Sequence, residues 1–274
     1  MTDAPRLTDR TALTRNRARA LARGPEMFLH RAAADELQDR LAMVKRTFTK
    51  PAIVTGFPDF WRNLWPDARI VPDDEVLALD EGAHDLVMHA MALHWANDPV
   101  GQVIQCRRAL RPDGLFLSVA FGGQTLANLR TALAEAEAQV TGGLSPRVVP
   151  MAEIRDMGAL LQRAGLALPV ADSVPLRVSY ADTLALMRDL RAMGENNAQV
   201  ARLRHLARRD MLLRAAAVHA ELARDGTGRI TELFELVVLT GWAPDDSQPK
   251  PLRPGSAQTR LAQALGTTET PLGD

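Results

Sequence analysis

Three side chains suited to proton transfer or ligand stacking fall close together in the stretch 85–99. His89 lies on a predicted strand, and His94 and Trp95 lie in the loop that follows it. Histidine can move a proton near neutral pH, and an indole offers a flat face for stacking. Because this loop follows the end of a strand, these side chains could line a pocket. Alternatively, His89 is a hydrogen-bonded core residue and Trp95 covers the core, and the sequence assigns no catalytic residue.

A single glycine, Gly56, ends the first predicted strand, 52–55, where a nucleotide-binding α/β fold has a glycine-rich loop. The glycines of such a loop let the backbone turn tightly and approach a ligand closely. Here bulky rings follow the glycine, namely Phe57, Phe60, Trp61 and Trp65. The pattern predicts a cofactor cradle that has been filled in, although one glycine is also an ordinary way to end a strand.

Two acidic residues, Asp73 and Asp74, follow the second predicted strand, 68–71. Their carboxylates could accept a hydrogen bond from an adenine amino group, or they could belong to a solvated turn after Pro72. The backbone at the end of strand 85–90 is a further place for a ligand. The candidate cofactor-binding residues are therefore Gly56, Asp73, Asp74, Ala90, Met91 and Trp95, with His89 and His94 as candidate pocket residues.

Composition disfavours several classes of site and partner. The six histidines show no metal-ligand spacing and Cys106 is the single cysteine, so neither a metal site nor an internal disulfide is expected. No apolar run approaches the roughly 18 residues that a membrane span needs. Lys plus Arg and Asp plus Glu number 33 each, which favours neither nucleic acid nor a membrane. A reducing, cytoplasmic setting is the expectation.

Arginines cluster in two stretches of the chain. Six lie within residues 6–23 and five lie within residues 202–214. Both clusters fit solvated helix faces, and both also fit a surface for an acidic partner. The first cluster is compatible with a transit peptide or an anion-binding arm. An RNA-associated role is a third interpretation, which the balanced overall charge disfavours.

Apolar periodicity predicts alternating strands and helices. One βαβ unit comprises strand 85–90, helix 99–110, a Pro-Asp-Gly turn and strand 115–121. Other predicted strands are 52–55, 68–71, 231–241 and segments of 167–180 that Pro169 and Pro175 separate. Other predicted helices lie within 8–46, 59–64, 125–139, 151–164, 183–193 and 198–224. The pattern predicts an α/β fold with a doubly wound, mostly parallel sheet, to which the last two strands add an antiparallel edge.

The predicted domain organisation has three parts. Residues 1–46 form an N-terminal helical segment, and residues 47–243 form the α/β domain. A helical insertion of about 182–226 precedes the last strand of that domain. Residues 244–274, rich in Pro, Ser, Gln and Gly, are predicted to form an extended tail.

Several motifs resemble the class I S-adenosylmethionine-dependent methyltransferases. They are DLVMHAMALHWANDP at 85–99, RRALRPDGLFL at 107–117 and GGQTL at 122–126. Other motifs are similar, more narrowly, to the branch that contains complex I assembly factor 5 and its bacterial relatives. They are SPRV at 145–148, RDMGALLQRAG at 155–165, LMRDLRAMG at 186–194 and LTGWAP at 239–244.

The resemblance implies a Rossmann-like sheet with a reversed last strand and a ligand at the carboxyl ends of its strands. In the superfamily, a glycine loop after the first strand holds the methionine part of S-adenosylmethionine. An acid after the second strand holds the ribose, and a polar residue after the third meets the adenine. A βαβ unit takes about 30 residues, and only residues 53–71 separate the first two predicted strands. One βα unit, with the ribose-binding acid, is therefore expected to be absent, and Asp73 and Asp74 to follow the third strand.

The expected function is that of a methyltransferase-like protein of the complex I assembly factor type. Impaired or lost S-adenosylmethionine binding is expected from the filled cradle. The protein would act through a protein client, for which a respiratory complex I subunit is the candidate. The alternatives are an active S-adenosylmethionine-dependent methyltransferase with a remodelled loop, and an arginine hydroxylase, an activity to which the resembled branch is linked.

Overall fold

The computed structural model describes residues 6–249 and the separate residues 263, 266 and 267. The helices are α1 (Arg10–Ala22), α2 (Phe28–Val44), α3 (Pro58–Leu64), α4 (Pro99–Ala109), α5 (Ala127–Thr141), α6 (Ile154–Arg163), α7 (Thr183–Ala192) and α8 (Arg209–Ala223). The strands are β1 (Pro51–Thr55), β2 (Arg69–Pro72), β3 (His84–Ala90), β4 (Leu110–Gly122), β5 (Ala167–Tyr180) and β6 (Ile230–Trp242).

The chain divides into one compact unit, Met1–Pro244, and a second unit, Asp245–Asp274. The predicted tail at 244–274 lies largely outside the described residues, and the predicted boundaries of the three-part organisation remain predictions. In the described part of the second unit, Asp245 accepts a hydrogen bond from the backbone of Ser247. None of the helices in the described part of the chain has the length and apolarity to cross a bilayer.

The strands form one sheet in the order β2-β1-β3-β4-β6-β5. Strands β2, β1, β3 and β4 are parallel, and β6 runs antiparallel to both of its neighbours, β4 and β5. One face of the sheet packs against α2, α3, α5, α7 and α8, and the other packs against α4 and α6. Because both faces are covered, β1, β3 and the second half of β4 are mostly apolar and almost entirely buried. The predicted doubly wound α/β fold with a reversed last strand is confirmed.

The connections around β2 are short. Helix α3 is the single crossover helix between β1 and β2, and Pro58 starts it. Residues 73–83, which connect β2 to β3, contain neither a helix nor a strand. The chain therefore reaches β3 after one helical crossover, as its short spacing predicts.

Two predicted strand ends were wrong, and local geometry explains both. β4 begins at Leu110 rather than 115, because the Pro-Asp-Gly stretch stays extended instead of turning back. Asp113 alone has a positive φ there, and its N–H donates to the carbonyl of Ala243. β5 is one strand rather than separate segments. Its prolines are tolerated because β5 is the edge strand and pairs only with β6.

The predicted helix 198–224 begins only at Arg209. The preceding loop is extended because its backbone bonds to the N-terminal segment instead of to itself. The N–H of Asp9 donates to the carbonyl of Ala198, at 2.7 Å, and the N–H of Val200 donates to the carbonyl of Leu7, at 2.9 Å. Tertiary pairing thus overrides the helix propensity of this stretch.

A buried chain of polar side chains joins α7, α8 and β6. Thr183 Oγ1 lies 2.9 Å from His219 Nδ1, and His219 Nε2 lies 2.6 Å from Glu232 Oε2. The order hydroxyl, imidazole, carboxylate is that of a hydrolase triad. All three residues are at most 2% exposed, so no substrate reaches the hydroxyl. These hydrogen-bonded side chains connect α7 and α8 to strand β6 of the sheet.

We expect Glu232→Ala to lower the free energy of unfolding by about 3–5 kcal/mol, because it leaves the buried His219 without its partner. Urea unfolding measures this change. Glu221→Ala, at an exposed position of α8, is the matched control and should change stability by less than about 0.5 kcal/mol. Equal effects of the two substitutions would contradict a structural role for the buried chain.

Candidate functional site

The carboxyl end of β1 is covered by a side chain from α1. The guanidinium of Arg17 lies directly against Gly56, so that a β-carbon added to the glycine would sit 2.1 Å from Arg17 Cζ. The same guanidinium lies 5.8 Å from the centre of the Phe57 ring. Gly56 is therefore needed for the close approach of Arg17. The side chain that lies against Gly56 is thus an arginine from α1; a filled cofactor cradle stays a prediction.

Arg17 forms a buried ion pair with Asp73, the residue that follows β2. Arg17 Nη1 donates to Asp73 Oδ1 at 2.7 Å, and Arg10 Nη1 donates to Asp73 Oδ2 at 3.2 Å. The Arg17 and Asp73 side chains are only 8% and 4% exposed. Burial by itself would raise the pKa of Asp73, but Arg17 and then Arg10 outweigh burial and lower the pKa to about 2. The carboxylate is thus held in its charged form by two arginines of one helix.

The N-terminus of α1 is fixed so that these arginines reach the sheet. Asp9 caps the helix and accepts a hydrogen bond from the N–H of Ala12 at 3.0 Å. Arg17 shares the buried face of α1 with Leu13 and Ala20, three and four residues away. That spacing could have identified Arg17 from sequence as a charged residue at a core position.

Two nitrogens of Arg17 are orphaned. Nε and Nη2 are buried and have no hydrogen-bond partner in the described structure. Buried donors of a charged group are costly to leave unpaired. The contact between Arg17 and Gly56 thus leaves unused hydrogen-bonding capacity at the carboxyl end of β1.

Asp73 and Asp74 follow β2, which pairs directly with β1. Residues 73–83, between β2 and β3, form no strand or helix. That Asp73 and Asp74 correspond to the region after the family's third strand, with the ribose-binding acid absent, stays a prediction. Asp74 itself points to solvent, with its side chain 67% exposed.

The candidates on β3 are core residues. His89 is fully buried and its Nε2 lies 2.7 Å from Gln102 Oε1. Burial lowers the pKa of His89 to about 4, so the ring is neutral at physiological pH. His89 therefore does not line a pocket, contrary to the prediction. The backbone of Ala90 and Met91 does lie at the carboxyl end of β3 beside β1, and Met91 has a positive φ of 52°; their role in cofactor binding stays a prediction.

His94 and Trp95 converge on a residue that the sequence did not single out. Trp95 Nε1–H donates to Glu195 Oε2 at 2.8 Å, and His94 Nε2 lies 3.3 Å from the same oxygen. Burial would raise the pKa of Glu195, but His94 and then Arg17 outweigh it and lower the pKa. Glu195 follows the end of α7, and sequence gave no sign of it because its partners are about 100 residues away.

Glu195 and Trp95 line a cavity of about 210 Å³. It lies between the end of β4 and helices α5, α7 and α8. Its walls are mainly apolar and include Phe121, Leu129, Met151, Met187, Leu212 and Phe234. The polar groups at its edge are Arg147, Arg191, Asn196 and Asn197, of which Arg147 is paired with Glu137 at 2.6 Å. Gly56 and Asp73 do not line it, so the cavity is separate from the arginine-filled end of β1.

No group of three or more potential metal-ligating side chains occurs in the part of the chain that the structure describes. Cys106 is buried on α4, where burial raises the pKa of its thiol well above the usual range. It is a packed core residue rather than a nucleophile.

Comparison with known proteins identifies the class. The family described as "Methyltransferase domain" matches residues 53–118. The mouse protein named arginine-hydroxylase NDUFAF5, mitochondrial, is 40% identical over 198 residues, which are 72% of this chain and 57% of that protein. A malonyl-acyl-carrier-protein O-methyltransferase from Laribacter hongkongensis is 35% identical over 177 residues, 65% of this chain and 57% of that enzyme. The solved structure of the Bacillus halodurans protein BH2331 covers 76% of this chain and 99% of its own, with 12% identity and a TM-score of 0.49.

The match to a methyltransferase domain and the identity to these relatives support a place for the chain in the class I S-adenosylmethionine-dependent methyltransferase superfamily. Within it, the chain resembles the proteins named arginine-hydroxylase NDUFAF5 from Danio rerio, three mammals and Dictyostelium discoideum, to which it is 36–40% identical. It spans less than two thirds of the length of these relatives.

The pair between Arg17 and Asp73 predicts a pH-dependent stability. The pKa of Asp73 is lower in the folded chain than its ordinary value of 3.8, so its contribution is complete above that value. It is lost as the pH falls from about 4 to about 2, and amounts to about 2 kcal/mol. Over that interval, the free energy of unfolding of wild type should fall by this amount relative to that of Asp73→Asn. Urea unfolding at each pH measures the difference.

Asp67→Asn is the matched control, because Asp67 is exposed. Its stability should follow that of wild type across the whole interval. If Asp73→Asn also tracks wild type, Asp73 does not carry the low pKa.

Proposed function

We propose that this chain is a methyltransferase-like protein of the complex I assembly factor type, with impaired S-adenosylmethionine binding, that acts through a protein client. The observation that carries the proposal is the position of the Arg17 guanidinium, against Gly56 and paired with Asp73. In the superfamily the loop after the first strand holds the methionine part of the cofactor, and polar side chains after the following strands hold its ribose and adenine. As they are arranged here, the residues do not fit S-adenosylmethionine, because protein fills the first place and arginines engage the second.

The energetic cost of admitting the cofactor supports this view. Arg17 would have to leave Asp73, and breaking a buried ion pair costs about 3–5 kcal/mol. Such a cost weakens binding by about two to four orders of magnitude. A site that would otherwise bind in the micromolar range would then be nearly empty at ordinary cofactor concentrations.

Isothermal titration with S-adenosylmethionine and with S-adenosylhomocysteine tests the proposal. We expect no saturable heat for the wild-type chain, because Arg17 stays on Asp73. The Laribacter hongkongensis relative named as a methyltransferase serves as the positive control. A micromolar Kd at unit stoichiometry for this chain would contradict impaired binding.

A second candidate, an active methyltransferase, is favoured by the orphaned Nε and Nη2 of Arg17. A ligand carboxylate that arrived beside Gly56 could pair with them. In that case wild type binds the cofactor and Arg17→Ala weakens binding by at least about tenfold. Under the first proposal, Arg17→Ala does not weaken binding. Arg15→Ala, two residues away on α1 and exposed, is the matched control.

The cavity next to Trp95 supports the client half of the proposal. A carboxylate, Glu195, lies among mainly apolar walls. This combination suits a long cationic side chain, whose methylene groups pack on the walls while its head pairs with the acid. The curated mouse relative is named as an arginine-hydroxylase, and we infer that the client of this chain presents an arginine side chain to the cavity.

An arginine-containing peptide capped at both ends tests this binding. We expect it to shift the NMR resonance of the Trp95 indole N–H, because that group hydrogen-bonds to Glu195. The same peptide with citrulline, which keeps the shape and lacks the charge, should shift it far less. The substitution Glu195→Gln should weaken binding of the arginine peptide by at least about tenfold. Equal responses to arginine and citrulline would count against the inferred client group.

A further inference from the structure

A continuous groove lined by arginines runs between α1 and α7. One concave surface encloses about 500 Å³ and is lined by Arg19, Arg23, Arg188 and Arg191. A neighbouring concave surface encloses about 610 Å³ and is lined by Arg15, Arg19 and the loop after Gln199. Because Arg19 belongs to both, the two surfaces are continuous. The five residues are called the arginine groove below.

The positive charge of the arginine groove has no internal counter-charge. Within the described part of the chain, none of its five side chains makes an ion pair or a side-chain hydrogen bond, whereas the nearby Arg202 pairs with Asp9 at 2.9 Å. No aspartate or glutamate lines either concave surface. The whole chain is neutral, with 33 residues of each sign. Positive charge is therefore concentrated on the arginine groove, although the chain as a whole is neutral.

This arrangement has a cost within the free protein. Arg15 and Arg19 are four apart on α1, and like charges at this spacing destabilise a helix. Arg23 follows at the C-cap of α1. An anionic partner would relieve the repulsion. The guanidinium fork also matches a carboxylate with two parallel hydrogen bonds.

We propose that the arginine groove binds an acidic polypeptide segment. No Phe, Tyr or Trp lines either concave surface, and single-stranded nucleic acids rely on aromatic rings of this kind for base stacking. At one end, the exposed Leu203 and Leu206 add apolar surface, which suits a peptide with mixed acidic and apolar residues. The inference goes beyond the proposed function, since it holds whether or not a side chain of the partner enters the cavity.

The groove is next to that cavity. Arg191 and Asn196 line both the groove and the cavity that contains Glu195. An acidic segment lying along α1 and α7 would therefore lead to the mouth of the cavity. The acidic residues of that segment would then lie in the groove, on one side of the residue whose side chain enters the cavity.

Fluorescence anisotropy of the full chain tests the inference, with a labelled peptide of repeated Glu-Asp-Gly-Leu as the probe. We expect saturable binding that weakens as salt is raised, and no binding of the amide counterpart of repeated Gln-Asn-Gly-Leu. The triple variant Arg19→Gln, Arg23→Gln, Arg188→Gln should raise the Kd at least about tenfold, from about 0.5 kcal/mol for each lost charge contact.

The matched control removes the same charge from exposed arginines of α4 and α6, by Arg108→Gln, Arg155→Gln and Arg163→Gln. It should change the Kd by less than about twofold. Equal losses in both triple variants would overturn the groove as the site, as would an absence of peptide binding by wild type. Tighter, groove-dependent binding of an oligouridylate would overturn the acidic polypeptide as its partner.

The outcome is separable from that of the proposed function. The anisotropy experiment needs neither S-adenosylmethionine nor the arginine peptide. The three substituted groove residues lie outside the cavity and outside the pair between Arg17 and Asp73. Circular dichroism of both triple variants checks that they fold. The single variant Arg23→Glu, at an exposed helix end, gives a second measurement and should also raise the Kd.

Discussion

The buried ion pair between Arg17 and Asp73 is the constraint on which the rest of the structure depends. It joins α1 to the carboxyl end of β2, across a sequence separation of 56 residues. Glycines make room for it on two sides. Gly56 lies under the guanidinium, and a β-carbon on Gly194 would come within 3.2 Å of Arg17 Cα. A charged group is stable at this depth only because Asp73 and Arg10 complete the cluster.

The same pair connects the fold to the function. The sheet keeps the architecture of the methyltransferase superfamily, but its first two strand ends are used for internal packing. The cavity that we propose as the client site lies elsewhere along the sheet, where Trp95 and His94 meet Glu195. Both regions depend on α7, since Gly194 contacts Arg17 and the next residue is Glu195. This physical link explains why a filled cofactor position and a client cavity are proposed together.

Sequence reasoning found the parts that local patterns determine. The unit from 85 to 121 follows from apolar periodicity, and the lack of a second crossover follows from the short chain length between 53 and 71. Sequence reasoning missed Arg17 and Glu195 because their partners are distant in sequence. It was wrong about 198–208, where helix-forming residues are extended by backbone pairing with Leu7 and Asp9. It left His89 open between a pocket residue and a core residue, because strand position alone does not give burial.

The most direct test of the central claim is a crystal structure of the chain grown with excess S-adenosylhomocysteine. The account predicts that Arg17 Nη1 remains within hydrogen-bond distance of Asp73 and that no ligand lies beside Gly56. Adenosyl density next to Gly56, with its ribose on Asp73 and the Arg17 guanidinium displaced, would contradict it.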